Sequence, residues 1–290
     1  MAQRAVADHA GYKDGVRAEW RAAASGWRTW YSTLEAEHAG RVASDALVDR
    51  AGVGPGDRVL DVASGYGEPG LTAARAVGSH GLVVCCDISQ PMLDFAGERA
   101  AEAGVGNVQF AVGDAEELDF GSEPFDAVIS RAGLMYFVDV AGTLSRLRSC
   151  LRTGGRLAAS VWSTPDKVAF AAPVPVMLEL LELPAPPVGA PGPFALSDVT
   201  RLATVVSEAG FEDVTTGALQ VVYELESPAA ATRWLRDVAP PIAGLAQGHP
   251  PELQQRVWDR VTEAWAPYVG GDGRVRLDSE ALWVTARSPG

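Results

Sequence analysis

Val59-Leu60-Asp61-Val62-Ala63-Ser64-Gly65-Tyr66-Gly67-Glu68-Pro69-Gly70 is the stretch on which the reading turns. A short apolar run, Val59–Val62, reads as a buried strand. The glycines open a turn, and Gly70–Val77 continues as a helix. Gly65 and Gly67 allow backbone angles that side-chain residues avoid and let a ligand approach the main chain. Gly65-x-Gly67-x-x-Gly70 is also the dinucleotide fingerprint, a weak discriminator when taken singly.

Outward from this stretch the same unit repeats. Leu82–Cys86, Val108–Val112, Ala127–Ser130 and Arg156–Val161 read as further strands, with helices over Met92–Ala103 and Ala141–Leu151 and a Gly154–Gly155 turn opening the fifth strand. Repeated βα units imply a parallel sheet covered on both faces. The expected fold class is α/β: a Rossmann-like, doubly wound, mostly parallel seven-stranded sheet. Residues 12–50 read as helical, so residues 1–50 are expected to form a helical cap on a core spanning residues 51–290. Pro165, Pro173, Pro175, Pro184, Pro186, Pro187, Pro191 and Pro193 mark a first lid insertion at about 163–196. A second, helical one spans about 228–275, with breaks at Pro240–Pro241 and Pro250–Pro251. Between them a helix over Ser197–Ala209 and a Gly210-Phe211 turn lead into strand-like residues to Leu225, and Ala281–Arg287 reads as a closing strand.

Three acids sit where strands end. Asp61 closes the first, Asp87 the second, and Gly113-Asp114-Ala115-Glu116 follows the third. A carboxylate at Asp61 suits an ammonium and gains nothing at a pyrophosphate site. Asp87 can accept from two ribose hydroxyls, as it would in a nicotinamide site too. Asp114 can accept from an adenine amino group while the Ala115 amide reaches a ring nitrogen. The structural alternatives are Asp61 capping the turn and Asp114 capping a helix.

In this combination the chain resembles class I methyltransferases dependent on S-adenosyl-L-methionine (SAM), of the ubiquinone/menaquinone and natural-product small-molecule type. The likeness covers about residues 55–162. It implies SAM binding by Asp61, Ser64, Gly65, Tyr66, Gly67, Asp87, Ile88, Met92, Gly113, Asp114, Ala115 and Ser130, with Met92 against adenine and the Ser130 carbonyl near the methionine ammonium. Tyr66 stands where the family often has a small or polar residue. Trp20 and Trp27 resemble the aromatic pair with which such enzymes close over the cofactor. An aromatic face near a sulfonium gains about 0.5–2 kcal/mol. Trp20, Trp27, Tyr31 and Leu34 share one helical face, although Ser32-Thr33-Leu34-Glu35 is a capping-box pattern that can start a new helix.

Beyond the carboxyl ends of the strands, Trp30, Met135, Tyr136, Trp162 and His249 are candidates to bind substrate, with Phe137 beside them; ordinary core is the competing role for Met135, Tyr136, Phe137 and Trp162, a surface or structural one for His249. An aromatic-rich roof suits a hydrophobic or aromatic metabolite. Methyl transfer draws most of its acceleration from alignment and exclusion of water, so a base is needed only for an acceptor that must lose a proton. His38 and Tyr31 are the candidate catalytic residues, Glu35 a weaker one. His9 lies near the terminus and His80 precedes the second strand, at the opposite end of the sheet.

A net charge of −13, with Lys13 and Lys167 the only lysines, disfavours nucleic acid and anionic membrane as partners. No Asn- or Asp-Pro-Pro-aromatic tetrapeptide follows the fourth strand, which disfavours nucleic-acid amino-methylation. Cys85, Cys86 and Cys150 form neither a disulfide framework nor a zinc site, no metal is expected, and a cytoplasmic, reducing location follows. The N-terminus lacks a signal-peptide core, and no apolar stretch is long enough to span a membrane. Monomer and homo-oligomer stay open. The expected function is methyl transfer from SAM to O, N or C of a small molecule. The alternatives are an NAD(P)-dependent oxidoreductase, against which Asp61 and the missing Tyr-x-x-x-Lys dyad speak, or a SAM-binding cyclase that transfers no methyl group.

Overall fold

In a computed structural model, which describes residues 9–187 and 189–290, the apolar runs assemble into one seven-stranded sheet. Its strands are β1 (Arg58–Val62), β2 (Leu82–Asp87), β3 (Val108–Val112), β4 (Phe125–Arg131), β5 (Leu151–Trp162), β6 (Glu212–Leu225) and β7 (Val275–Arg287). They lie in the order β3-β2-β1-β4-β5-β7-β6. Neighbouring strands among the first five run parallel, and β7 is antiparallel to both β5 and β6. Residues 1–8, read as lacking a signal-peptide core, lie outside the described residues.

Helices cover both faces: α1 (His9–Thr29), α2 (Tyr31–Leu34), α3 (Val42–Arg50), α4 (Gly70–Val77), α5 (Gln90–Glu102), α6 (Val140–Ser149), α7 (Val174–Leu180), α8 (Val199–Glu208), α9 (Pro228–Val238), α10 (Pro240–Ala243) and α11 (Pro251–Ala264). The two central cysteines show how the sheet divides the core. Cys85 packs with Val83, Ile129 and Ala158 on one face, and Cys86 with Leu60, Val62 and Leu157 on the other, as strand alternation requires. Three helix starts are capped by their own sequence: Asp139, Asp198 and Ser227 accept from Gly142, Arg201 and Ala230 amides. Pro228, Pro240 and Pro251 each stand in a first helical turn, where the missing N–H costs nothing.

Two local expectations are corrected. Gly154–Gly155 lies inside β5, which begins at Leu151: Phe125 pairs with Leu151 and Ala127 with Arg156, so the extra residues form a bulge. The Ser32–Glu35 pattern caps nothing. The chain restarts at Tyr31 without a side-chain cap, because the Glu35 carboxylate is drawn to Arg131 and Tyr66 instead.

The residues between β6 and β7 leave the sheet at the Leu225–Val275 pair and fold back as α9–α11. They share a core with residues 168–183 through Phe170, Met177, Trp234 and Trp265. Helix α1 packs on α5, α9 and α10 and so joins this layer to the sheet. Gly26 makes the α1–α9 seam: a Cβ there would lie 2.3 Å from the Asp237 carbonyl oxygen, a main-chain atom that cannot yield cheaply. Gly26→Ala therefore overpacks the seam, at about 1–3 kcal/mol. With about 2–4 °C per kcal/mol for a chain of this size, calorimetry should show Tm reduced by roughly 2–12 °C. An unchanged Tm would mean that α1 is not seated on α9.

Candidate active site

Sheet order reverses direction between β1 and β4, and ligands in doubly wound sheets bind in the crevice at such a point. Both strands leave the sheet in unusual backbone conformations. Ala63 (φ 55°) and Ala132 (φ 57°) adopt left-handed angles that cost a side-chain residue about 1 kcal/mol or more. Gly133 completes the approach, since a Cβ on it would lie 2.6 Å from the Ala63 Cβ. The crevice opens into a cavity roofed by α1, α9, α10 and the loop around Pro193.

Asp87 and Asp114 both line this cavity. Asp87 Oδ2 accepts from the Gly65 amide and Oδ1 from the Ser89 amide, each at 2.8 Å. Burial pushes its carboxyl up to about 6, against the pull of the Ser89, Gly65 and Ile88 amides. Asp114 Oδ1 accepts from the Glu116 amide (2.9 Å), and Oδ2 lies 2.8 Å from the Lys13 ammonium of α1. Ser64, Gly65, Tyr66, Ile88, Met92, Gly113 and Ala115 lie along the same wall.

Asp61, Gly67 and Ser130 stand behind that wall. Asp61 is wholly buried. Its Oδ2 accepts from the Gly70 amide (2.7 Å), which ties the loop to α4, and its Oδ1 has no partner among the described residues. Burial raises its carboxyl well above the usual range, with the Gly70 amide and Arg131 opposing. An orphaned buried oxygen beneath the loop fits a site that receives a cation. The Ser130 hydroxyl donates to the Val62 carbonyl (2.8 Å) and ties the ends of β1 and β4 together.

The cap presents Trp20 and Trp27 to the cavity. Their ring centroids are 5.9 Å apart; Trp20 meets Tyr136 edge-on (5.6 Å) and Trp27 leans on Tyr66 (5.0 Å). Met92 packs against both, and Trp27 Nε1 donates to the Val238 carbonyl of α9. Met135, Tyr136, Phe137 and Trp162 also line the cavity.

Four residues singled out from sequence are not brought there. The Trp30 indole turns to Asp237 (2.8 Å). Tyr31 accepts from Arg99 (2.9 Å) and packs on Phe95 of α5. His38 is exposed on the π turn Glu37–Arg41, and His249 precedes α11 with its carbonyl bound to Gln254. The restart of the helix at Tyr31 breaks the shared face on which Tyr31 had been placed with Trp20 and Trp27.

The structure adds a buried network instead. Tyr66 hydroxyl donates to Glu35 Oε1 and accepts from Arg131. Arg131 also donates to Glu35 (2.7 Å), the Gly40 carbonyl (2.6 Å) and Ser44 (2.9 Å). Burial opposes the charge on Arg131, and Glu35, Tyr66 and Glu68 together more than offset it. Phe170, Tyr223 and Trp234 complete the far wall. A cation closing a buried strand was a visible signal at Arg131. Nothing in the sequence links Phe170, Tyr223 and Trp234.

Residues 54–179 match the family described as "Methyltransferase domain". Among curated proteins, the chain is similar to the ubiquinone/menaquinone biosynthesis C-methyltransferase UbiE of Teredinibacter turnerae, 39% identical over 120 residues, 41% of this chain and 48% of that protein. The chain thus spans about half the length of the curated relatives it matches. Among solved structures it resembles the (4+2)-cyclase SpnF (TM-score 0.61, 19% identity, 96% of this chain and 97% of that one). It also resembles Haemonchus contortus phosphoethanolamine N-methyltransferase 2 in complex with phosphomonomethylethanolamine and S-adenosylhomocysteine (TM-score 0.60, 18% identity, 96% and 61%). A third is a methyltransferase-like protein from Bacillus halodurans (TM-score 0.54, 22% identity, 86% and 100%). At these identities the structural likeness shows the fold.

Proposed function

With a class I SAM-dependent methyltransferase domain at residues 54–179 as the premise, we propose that the chain transfers a methyl group from SAM to O, N or C of a small hydrophobic or aromatic molecule. One observation carries the reading: carboxylates ending β2 and following β3 line the same cavity as the glycine loop, above a buried Asp61 oxygen that lacks a partner. In this reading Asp87 accepts from the ribose hydroxyls, and Asp114 with the Ala115 amide holds the adenine edge. Ile88 and Met92 pack against the base. Asp61 and the Ser130 carbonyl supply negative potential toward an ammonium. Trp20 and Trp27 roof the cleft and exclude water. SAM, when bound, supplies an electrophilic methyl on a positive sulfonium, so the protein's task is alignment and dehydration.

The fold argues against the nicotinamide alternative. Dinucleotide-binding sheets of the Rossmann type run 3-2-1-4-5-6, whereas here β7 is antiparallel and intervenes between β5 and β6. A small-molecule role in natural-product metabolism fits the aromatic roof, and a reducing cytoplasm fits three free cysteines. Isothermal titration with S-adenosylhomocysteine (SAH) tests the proposal. Binding with one site per chain at micromolar concentration is expected; titrations that stay flat while NADH binds would overturn it.

A further inference from the structure

The cavity has two unlike halves. Around Asp87 and Asp114 it is acidic. Its other half is walled by rings: Trp162 meets Phe170 edge-on (centroids 4.9 Å), and Tyr223 leans on Trp234 (4.9 Å), which in turn meets Phe170 (6.2 Å). Such a wall favours a flat ring system over a flexible aliphatic chain, because rings pair edge-on or offset at these separations.

The cations that line the two halves are already paired. Two cations line the cavity, Arg131 and Lys13. Arg131 is engaged by Glu35, and Lys13 by Asp114, Glu116 and Glu117. A phosphate or carboxylate on the ligand would find no free counter-charge here and would lose its hydration on entry.

Polarity at the junction of the halves comes from Tyr66, which lines the cavity together with Arg131. The Tyr66 oxygen has one proton and two acceptor positions. Its proton is committed to Glu35 and one acceptor position to Arg131. What remains is a single acceptor position, so a ligand atom that bonds Tyr66 must itself be a donor. The Trp234 indole N–H, in the ring wall, is buried and has no acceptor among the described residues.

We infer that the methyl acceptor is an uncharged, planar aromatic or polycyclic compound whose hydroxyl donates to Tyr66 at the edge of the Trp162–Phe170–Tyr223–Trp234 wall. The inference rests on the methyltransferase reading and sharpens it. As the new methyl–oxygen bond forms and the methyl–sulfonium bond breaks to leave SAH, the hydroxyl proton passes to the Tyr66 oxygen while the Tyr66 proton moves to Glu35 Oε1. The ether product has no donor, so it loses the bond that held the substrate and leaves more readily. Tyr66 is thus a specificity-determining residue of the substrate half, held in place by Glu35 and Arg131.

The test uses the whole wild-type chain saturated with SAH and four probes followed by tryptophan quenching: 2-naphthol, 2-methoxynaphthalene, naphthalene-2-sulfonate and 1-decanol. We expect 2-naphthol to bind at least fivefold tighter than its methyl ether and at least tenfold tighter than the sulfonate or the alcohol. In Tyr66→Phe, whose folding is checked by its melting curve, the preference for naphthol over the ether should fall to within twofold. Equal affinities for the naphthol and the ether in wild type, or tightest binding by the sulfonate or decanol, would overturn the inference while leaving SAH binding intact. Failure of the wild-type chain to take up SAH would instead remove the methyltransferase reading on which it rests.

Discussion

Replacing Asp87 with Ala should lower the affinity for SAH by about two to four orders of magnitude. The carboxylate already accepts from the Gly65 and Ser89 amides, one on each oxygen, and has lone pairs left for two sugar hydroxyls. Bonds to a charged group are worth about 1.5–3 kcal/mol each, and about 1.4 kcal/mol is tenfold in affinity. The substitution also frees the Gly65 amide that the carboxylate holds in the glycine loop. Asp87→Asn keeps the shape but loses the charge, so a smaller loss is expected from it. Calorimetric titration checks both; wild-type affinity in the Ala variant would show that this acid does not hold the ligand.

The same acid sets a pH dependence. Its folded-state value of about 6 lies above the ordinary 3.8, so between those two values the native protein holds the proton more tightly than the unfolded chain. Its contribution to stability therefore declines as pH rises through that window. Ligand affinity runs the other way. The ionised form accepts the hydroxyl protons, so SAH binding should weaken as pH falls below about 6, and the slope should flatten in Asp87→Asn.

Arg131→Leu should produce the largest loss of stability. It strands the Glu35 carboxylate, whose side chain is only 9% exposed, and removes the donor to the Gly40 carbonyl and Ser44. Breaking a buried pair by removing one partner costs about 3–5 kcal/mol, which at about 2–4 °C per kcal/mol predicts a Tm lower by roughly 6–20 °C. Removing both charges is milder, because an apolar pair leaves no uncompensated ion. Arg131→Leu combined with Glu35→Leu should thus recover much of the loss. If the single variant melts with the wild type in scanning calorimetry, the network does not bolt the cap to the sheet.

The first four strands were legible because they are short apolar runs whose spacing is local, whereas β5, β6 and β7 run to 12, 14 and 13 residues. All seven strands were anticipated, and the β1–α4 loop was placed to the residue. Asp87 and Asp114 were legible for a related reason: a parallel strand delivers its last residue to one edge of the sheet, so strand ends name site residues without knowledge of packing. Tyr31, a catalytic candidate, does not line the cavity, because the helical face it would share with Trp20 and Trp27 is broken where the helix restarts. His38 follows the aromatic segment and His249 sits in the second insertion, positions that let either reach a pocket, yet neither lines the cavity.

Period, glycine spacing and the acids at strand ends, all local, determined from sequence alone an α/β sheet with a nucleoside-type crevice. Only the tertiary structure decided which side chains meet across it. Glu35, Tyr66 and Arg131 come from the cap, the first loop and the fourth strand, and Phe170 comes from the first insertion to meet Tyr223 of β6 and Trp234 of α9. Their meeting depends on long-range packing of α1 and α9 over the sheet, and short-range sequence pattern carries no record of such contacts.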